Sequence, residues 1–213
     1  MAATHSNEQT LLVRFFRGRD PAKDHAGRLL KDILGWKADE LENCHDYIQW
    51  LFPLPEGSPF NSMAPVVTKE VYVAFHQDPK LLLSLRNTFR RMAEFYGFEL
   101  HDESPMNKPN DDDIHLRKRA DFKSSFSNWV TRFDHNHLRI TRIIRSLRVL
   151  GLPEYAQAFY AALQDEHITG VVSAKSQMFW RRAAERPLHL PPDEEDEKAE
   201  GIKWLKDMRN STV

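Results

Sequence analysis

The stretch that most constrains the fold is Asn136 to Leu150, NHLRITRIIRSLRVL. Ile140, Ile143, Ile144, Leu147 and Leu150 recur at i, i+3, i+4, i+7 and i+10, so on a helix they form one apolar arc. Arg139, Arg142, Arg145 and Arg148 take up the rest of the circumference. Asp134 or Asn136 can cap the amino end, and Gly151 followed by Leu152-Pro153 supplies a left-handed residue and a stop. Burying each of these aliphatic side chains is worth roughly 1.5–3 kcal/mol before conformational entropy is subtracted. The arc must therefore find partners elsewhere in the chain. We read it as the central helix of an all-α, single globular multi-helix domain.

The same signals place further helices around it. Asp78 as N-cap, Pro79 at the first helical position and Gly97 past the end bracket a stripe of Leu81, Leu85, Phe89, Met92 and Tyr96. Shorter helices are predicted over 11–16, 24–36, 68–75, 153–168 and 173–184, and a single helical turn before Pro53. Ile114 to Trp129 reads as one or two short helices with Leu116, Phe122, Phe126 and Trp129 inward. Before it, His101 to Asp113 reads as an exposed loop whose Asp111-Asp112-Asp113 opens the next helix. Pro53, Pro55, Pro59 and Pro65 make a stiff connector. From Pro187 the composition turns to proline and then to the acidic run 193–197, before a short terminal tail helix near 202–208. The division is a polar N-terminal segment, 1–10, a helical domain, 11–186, and a Pro/acidic linker with the tail helix, 187–213.

With 213 residues, 41% of them hydrophobic, the chain has material for one well-formed core. Cys44 is the only cysteine, so an intrachain disulfide is impossible and a thiolate zinc site lacks partners; the redox context reads as intracellular. The start, MAATHSNEQT, has no apolar h-region, and no run of about 18 apolar residues occurs, so the expectation is a cytoplasmic or nuclear protein, not secreted and without a transmembrane segment. The net charge of -1 gives no global attraction to nucleic acid. Locally, residues 117–148 carry nine basic residues against Asp121 and Asp134. That patch could meet phosphates, but an internal or partner-directed role, including cover by the acidic run, fits the balanced total better, and a nucleic-acid partner is disfavoured. The aspartate run 111–113 could hold Mg²⁺, yet no second motif faces it, so neither a metal nor a cofactor is expected.

Three groups of residues could carry function. Tyr47, Gln49, Trp50 and Phe52 could wall a ligand pocket, although aromatic stripes more often pack a core. His45, His135 and His137 are the residues suited to acid–base chemistry near neutral pH. On a helix, residues two apart point about 200° from each other, so His135 and His137 would share one metal only in an extended segment. The letters HNH also evoke a nuclease motif, whose ββα hairpin has no counterpart here. Arg139 and Arg142 stand near the apolar border of the central helix, placed to bind a carboxylate bidentately. That carboxylate could be a structural one such as Asp46, or a ligand's.

Two segments carry a resemblance. His45-Asp46-Tyr47-Ile48-Gln49-Trp50-Leu51-Phe52-Pro53-Leu54, and then His135-Asn136-His137-Leu138-Arg139-Ile140-Thr141-Arg142-Ile143 running on to Leu150-Gly151-Leu152, are similar to the two signature stretches of the opioid growth factor receptor conserved domain family. Their order and separation match, and Phe95-Tyr96-Gly97 falls where that family has an aromatic-aromatic-Gly ending. The resemblance covers roughly Phe15 to Phe179. It implies a helical intracellular domain with opioid growth factor receptor activity; the animal receptor of that name binds an enkephalin-type pentapeptide and restrains cell growth around the nucleus. The expectation is a binding domain whose groove is lined by the 45–53 segment and the start of the central helix. Tyr47, Gln49, Trp50, Asn136, Arg139 and Arg142 would then contact a peptide or small amphipathic ligand. The competing readings are a cyclase- or isomerase-type enzyme using His45, His135 or His137 in the same groove, and a module for a protein partner. All require the aromatic segment to pack beside the arginine-flanked helix.

Overall fold

The computed structural model describes residues 11–18, 20–58, 61–102 and 114–210. In chain order the elements are α1 (11–16), α2 (Leu30–Leu34), α3 (Ala38–Asn43), α4 (Ile48–Leu51), α5 (Lys69–Gln77) and α6 (Pro79–Phe95). The strands β1 (Phe98–Asp102) and β2 (Ile114–Lys118) follow, then α7 (Phe122–Phe126), α8 (His135–Val149) and α9 (Pro153–Ala162). The chain closes with α10 (Glu166–Thr169), α11 (Ala174–Glu185) and α12 (Lys203–Asn210).

The central helix is where the sequence places it. In α8 the carboxylate of Asp134 accepts from the Asn136 N–H at 2.7 Å, and Ile140, Ile143, Ile144 and Leu147 are fully buried. Their neighbours are α9 and α11, while α6 runs beside α5 and β1. Asp78 caps α6 as predicted, and Thr68 and Ser173 likewise cap the helices they precede.

The expectation of an all-α chain is overturned by β1 and β2, an antiparallel pair in the register Phe98↔Lys118 to Asp102↔Ile114. The domain is mostly helical but mixed. Gly97, at φ +86°, turns the chain out of α6, and its carbonyl accepts from the Arg119 N–H at 2.9 Å to close the ladder. Phe98 and Leu100 then point inward and Glu99 outward, the alternation of a half-buried strand. Phe122, Phe126 and Trp129 stand at i, i+4 and i+7, which is why 114–129 reads as helix in the sequence; it is instead a strand followed by α7. The loop 103–113, with its three aspartates, lies outside the described residues. Two other helices are shorter than predicted. Asp24 spends its carboxylate on the N–H groups of Ala26 and Arg28 and on the Arg28 guanidinium, holding a turn that delays α2 to Leu30. The 153–168 helix divides where Asp165 caps α10.

The C-terminal stretch folds back. Arg186 donates to the carbonyls of Pro191 and Glu194 at 3.1 and 2.7 Å and pairs with Glu197, so the acidic run lies on α11. In α12, Leu205 is buried and Trp204 meets Tyr72 edge to face. Among the described residues no helix is long and apolar enough to cross a membrane.

Candidate functional site

The last turn of α3 with the residues after it, 41–45, and the buried, irregular 52–54 leave carbonyls without a backbone partner, so these need donors. The arginines of α8 supply them. Arg139 donates through Nη1 to Leu41 O at 3.0 Å and through Nη2 to Cys44 O and His45 Nδ1, both at 2.8 Å. One turn on, Arg142 Nη1 donates to Phe52 O at 3.1 Å, and the Ser146 hydroxyl to Pro53 O at 2.8 Å. Arg145, itself only 1% exposed, grips the Glu56 carboxylate with Nε and Nη2 and reaches Leu188 O at 3.1 Å. A rigid planar fork suits this clamping of several acceptors at once. The two sequence-distant segments therefore share one neighbourhood.

Beside the clamp lies an open cleft of about 450 Å³. Ile48, Gln49 and Leu54 form its floor, and Leu138, Arg142 and Arg145 come from α8. His45 and His135 stand at its edge, their ring centroids 5.0 Å apart. Phe179 of α11 and Pro192-Asp193 of the C-terminal stretch complete the lining. Leu138 is 56% exposed, an apolar surface on the rim with no cover.

The predicted ligand residues divide evenly. Gln49, Arg139 and Arg142 line the cleft; Tyr47, Trp50 and Asn136 do not. Tyr47 is fully buried with its hydroxyl donating to Leu41 O at 3.0 Å, and that burial pushes its phenol well above the ordinary range. Trp50 packs on Phe15 and donates Nε1–H to His25 Nδ1 at 2.9 Å. Asn136, also fully buried, donates to Glu42 Oε2 at 3.1 Å and accepts from the Tyr96 hydroxyl. These three hold the walls in place. Asp46, the carboxylate suggested for Arg139, pairs instead with Arg28 and His25.

The histidines divide as the helical geometry requires. His135 faces Glu42, with Nε2 to Oε1 at 3.3 Å, whereas His137 turns to the other side. There His137 Nε2 donates to Trp129 O and Nδ1 accepts from the Ser176 hydroxyl, both at 3.0 Å, and burial holds its pKa below the usual value. It is a core histidine with both nitrogens engaged. His45 is held below its usual value by burial and by the Arg139 and His135 charges. Because a guanidinium only donates, His45 Nδ1 is an acceptor and the neutral ring carries its proton on Nε2.

The cleft is basic by one charge, with Arg139, Arg142 and Arg145 against Glu56 and Asp193. Arg145 was legible as a lining residue from its spacing, since Leu138, Arg142 and Arg145 stand at i, i+4 and i+7 on one helix face. Glu56, Phe179 and Asp193 carry no such signal; chain topology alone brings them here.

Fold and cleft together define a mostly helical domain in which the arginines of one buried helix clamp an aromatic turn. Residues 5–178 match the family described as opioid growth factor receptor (OGFr) conserved region, and the chain belongs to that family. It is 39% identical over 132 residues to the opioid growth factor receptor of Rattus norvegicus, an alignment covering 61% of this chain and 21% of that protein. The Homo sapiens receptor is 35% identical over the same share of this chain and 18% of its own length. The opioid growth factor receptor-like protein 1 of Mus musculus is 30% identical over 146 residues, 67% of this chain and 29% of that protein. The chain thus corresponds to less than a third of the length of these relatives. No solved structure matches it.

Proposed function

We propose that the chain is a ligand-binding domain of the opioid growth factor receptor type, and that the cleft beside α8 takes a short peptide or small amphipathic molecule. The observation that carries this is the meeting of the two family-like signature segments in one cleft, where apolar Ile48, Leu54, Leu138 and Phe179 alternate with oriented polar groups from Gln49 and Arg142. A small number of fixed polar groups in an apolar concavity is what orients an amphipathic ligand. The likeness to proteins named opioid growth factor receptor supports the same reading. The test is thermal stabilisation by an enkephalin-type pentapeptide. Stabilisation that grows with the logarithm of peptide concentration, reaching about 2.7 kcal/mol at a hundredfold excess over Kd, supports the proposal; no shift at millimolar peptide overturns it.

A second reading, acid–base catalysis on a small molecule, draws on the placement of His45 and His135 in one cleft. Against it, the lone pair of His45 Nδ1 is already committed to Arg139, and His135 is oriented by Glu42. Binding is the reading the geometry supports better.

A further inference from the structure

Three arginines line the cleft, and two of them each hold several acceptors. Arg139 spends its guanidinium on backbone carbonyls, Asn136 and His45, and Arg145 spends its own on Glu56 and Leu188. Arg142 differs. Its one hydrogen bond runs from Nη1 to Phe52 O, and no carboxylate pairs with it among the described residues. Burial pulls it down to about 10, with distant Glu56 offsetting only part of that, so it is still a cation at neutral pH. Desolvating a charge without a partner is costly, and in a cleft wall it marks where a ligand's opposite charge is stabilised.

A second group on the same wall is also incomplete. Gln49 is 8% exposed, and its Oε1 is buried without a hydrogen-bond donor. The cleft wall thus holds a guanidinium with no carboxylate partner and a glutamine whose amide oxygen has no donor, next to apolar Ile48, Leu54 and Leu138. A monoanion with an adjacent N–H and an apolar side chain satisfies all three, and that is the chemistry of a peptide's last residue.

We infer that the cleft recognises the free C-terminus of a short peptide, with the terminal carboxylate on Arg142, the last amide N–H on Gln49 and an apolar terminal side chain between Leu54 and Leu138. The inference rests on the ligand-binding reading above and narrows it. The charge balance selects a carboxylate over a phosphate dianion. One positive charge is in excess, and the Glu56 and Asp193 carboxylates line the same space.

The experiment pairs ligands that differ only at the anion. The pentapeptide is titrated as its free acid and as its C-terminal amide, alongside N-acetylphenylalanine and its amide, against the intact chain and against Arg142→Gln and Arg142→Lys. Phenyl phosphate serves as the dianion control. Calorimetry gives affinity, and the imidazole signals of His45 and His135 report whether binding is in this cleft. The expected result is that each acid binds roughly 10- to 100-fold tighter than its amide, that Arg142→Gln abolishes the difference, and that Arg142→Lys retains part of it. Should Arg142→Gln fold poorly, the acid–amide comparison on the unaltered chain decides alone. Equal binding of acid and amide would leave the ligand-binding reading standing and overturn the carboxylate anchor. Tighter binding of phenyl phosphate than of the acids would overturn the choice of anion. Silence from every ligand at millimolar concentration would overturn both.

Discussion

At the scale of the residue, Arg139 is the side chain on which the site depends most. It donates to Cys44 O and His45 Nδ1, shares Leu41 O with the Tyr47 hydroxyl, and presses on the Tyr47 ring. Replacing it with methionine keeps the apolar stem and strips Cys44 O and His45 Nδ1 of this donor. We expect Arg139→Met to lose about 2 kcal/mol or more in urea denaturation, because each orphaned buried polar group costs about 1–3 kcal/mol. A loss below about 1 kcal/mol would contradict the clamp. The histidines make a pH prediction. His45, His76 and His137 all have folded-state pKa values lowered chiefly by burial. The unfolded chain therefore takes up protons first as pH falls, and stability present above about 6.5 declines below it. Denaturation midpoints should fall between pH 7.5 and 5.5, and His137→Gln should flatten that slope. A midpoint constant across this range would argue against neutral buried imidazoles.

At the scale of the element, the long helices were legible because stripe, cap and stop agreed. Asp78-Pro79 before α6 and Asp134 before α8 carry the physical signal that the backbone then uses. The hairpin was not legible. Its strands are five residues each, too short for period two to stand out against 3.6, and they pack on rings far off in sequence, Phe98 lying against Trp129 and Phe159. The cleft was half legible for a related reason. Periodicity locates Arg142 on a helix face, but only the tertiary structure reveals that Trp50 turns toward His25 and that Asp193 comes to the rim. Gly97 offers the sharpest test of the hairpin. A Cβ there would stand 2.8 Å from the Phe122 ring and 3.0 Å from Ser125 Cβ, at a backbone angle that L-residues rarely adopt. Gly97→Ala should destabilise by about 2 kcal/mol or more and raise amide exchange in β1 and β2, whereas a neutral effect would be incompatible with this packing.

At the scale of the whole molecule, the C-terminal stretch matters because it lies beyond the family-matched span and yet supplies Pro192 and Asp193 to the cleft. It is held at two places, by Arg182 of α11 with Arg186 just past its end, and by Leu205 against the body. Leu205→Ala should release α12 without melting the core, so amide protection is lost over 203–210 while α8 keeps its own. Loss of protection in both together would mean the tail is part of the core's cooperative unit. The central claim, however, is the cleft. Its most direct test is chemical-shift mapping of the isotopically labelled chain with the enkephalin-type pentapeptide. Saturable shifts are expected at His45, Gln49, His135, Leu138 and Arg142, with β1 and β2 silent. Saturable shifts confined to β1 and β2, or to the pocket between Tyr72, Arg148 and Leu205, or no shifts at all at millimolar peptide, would contradict it.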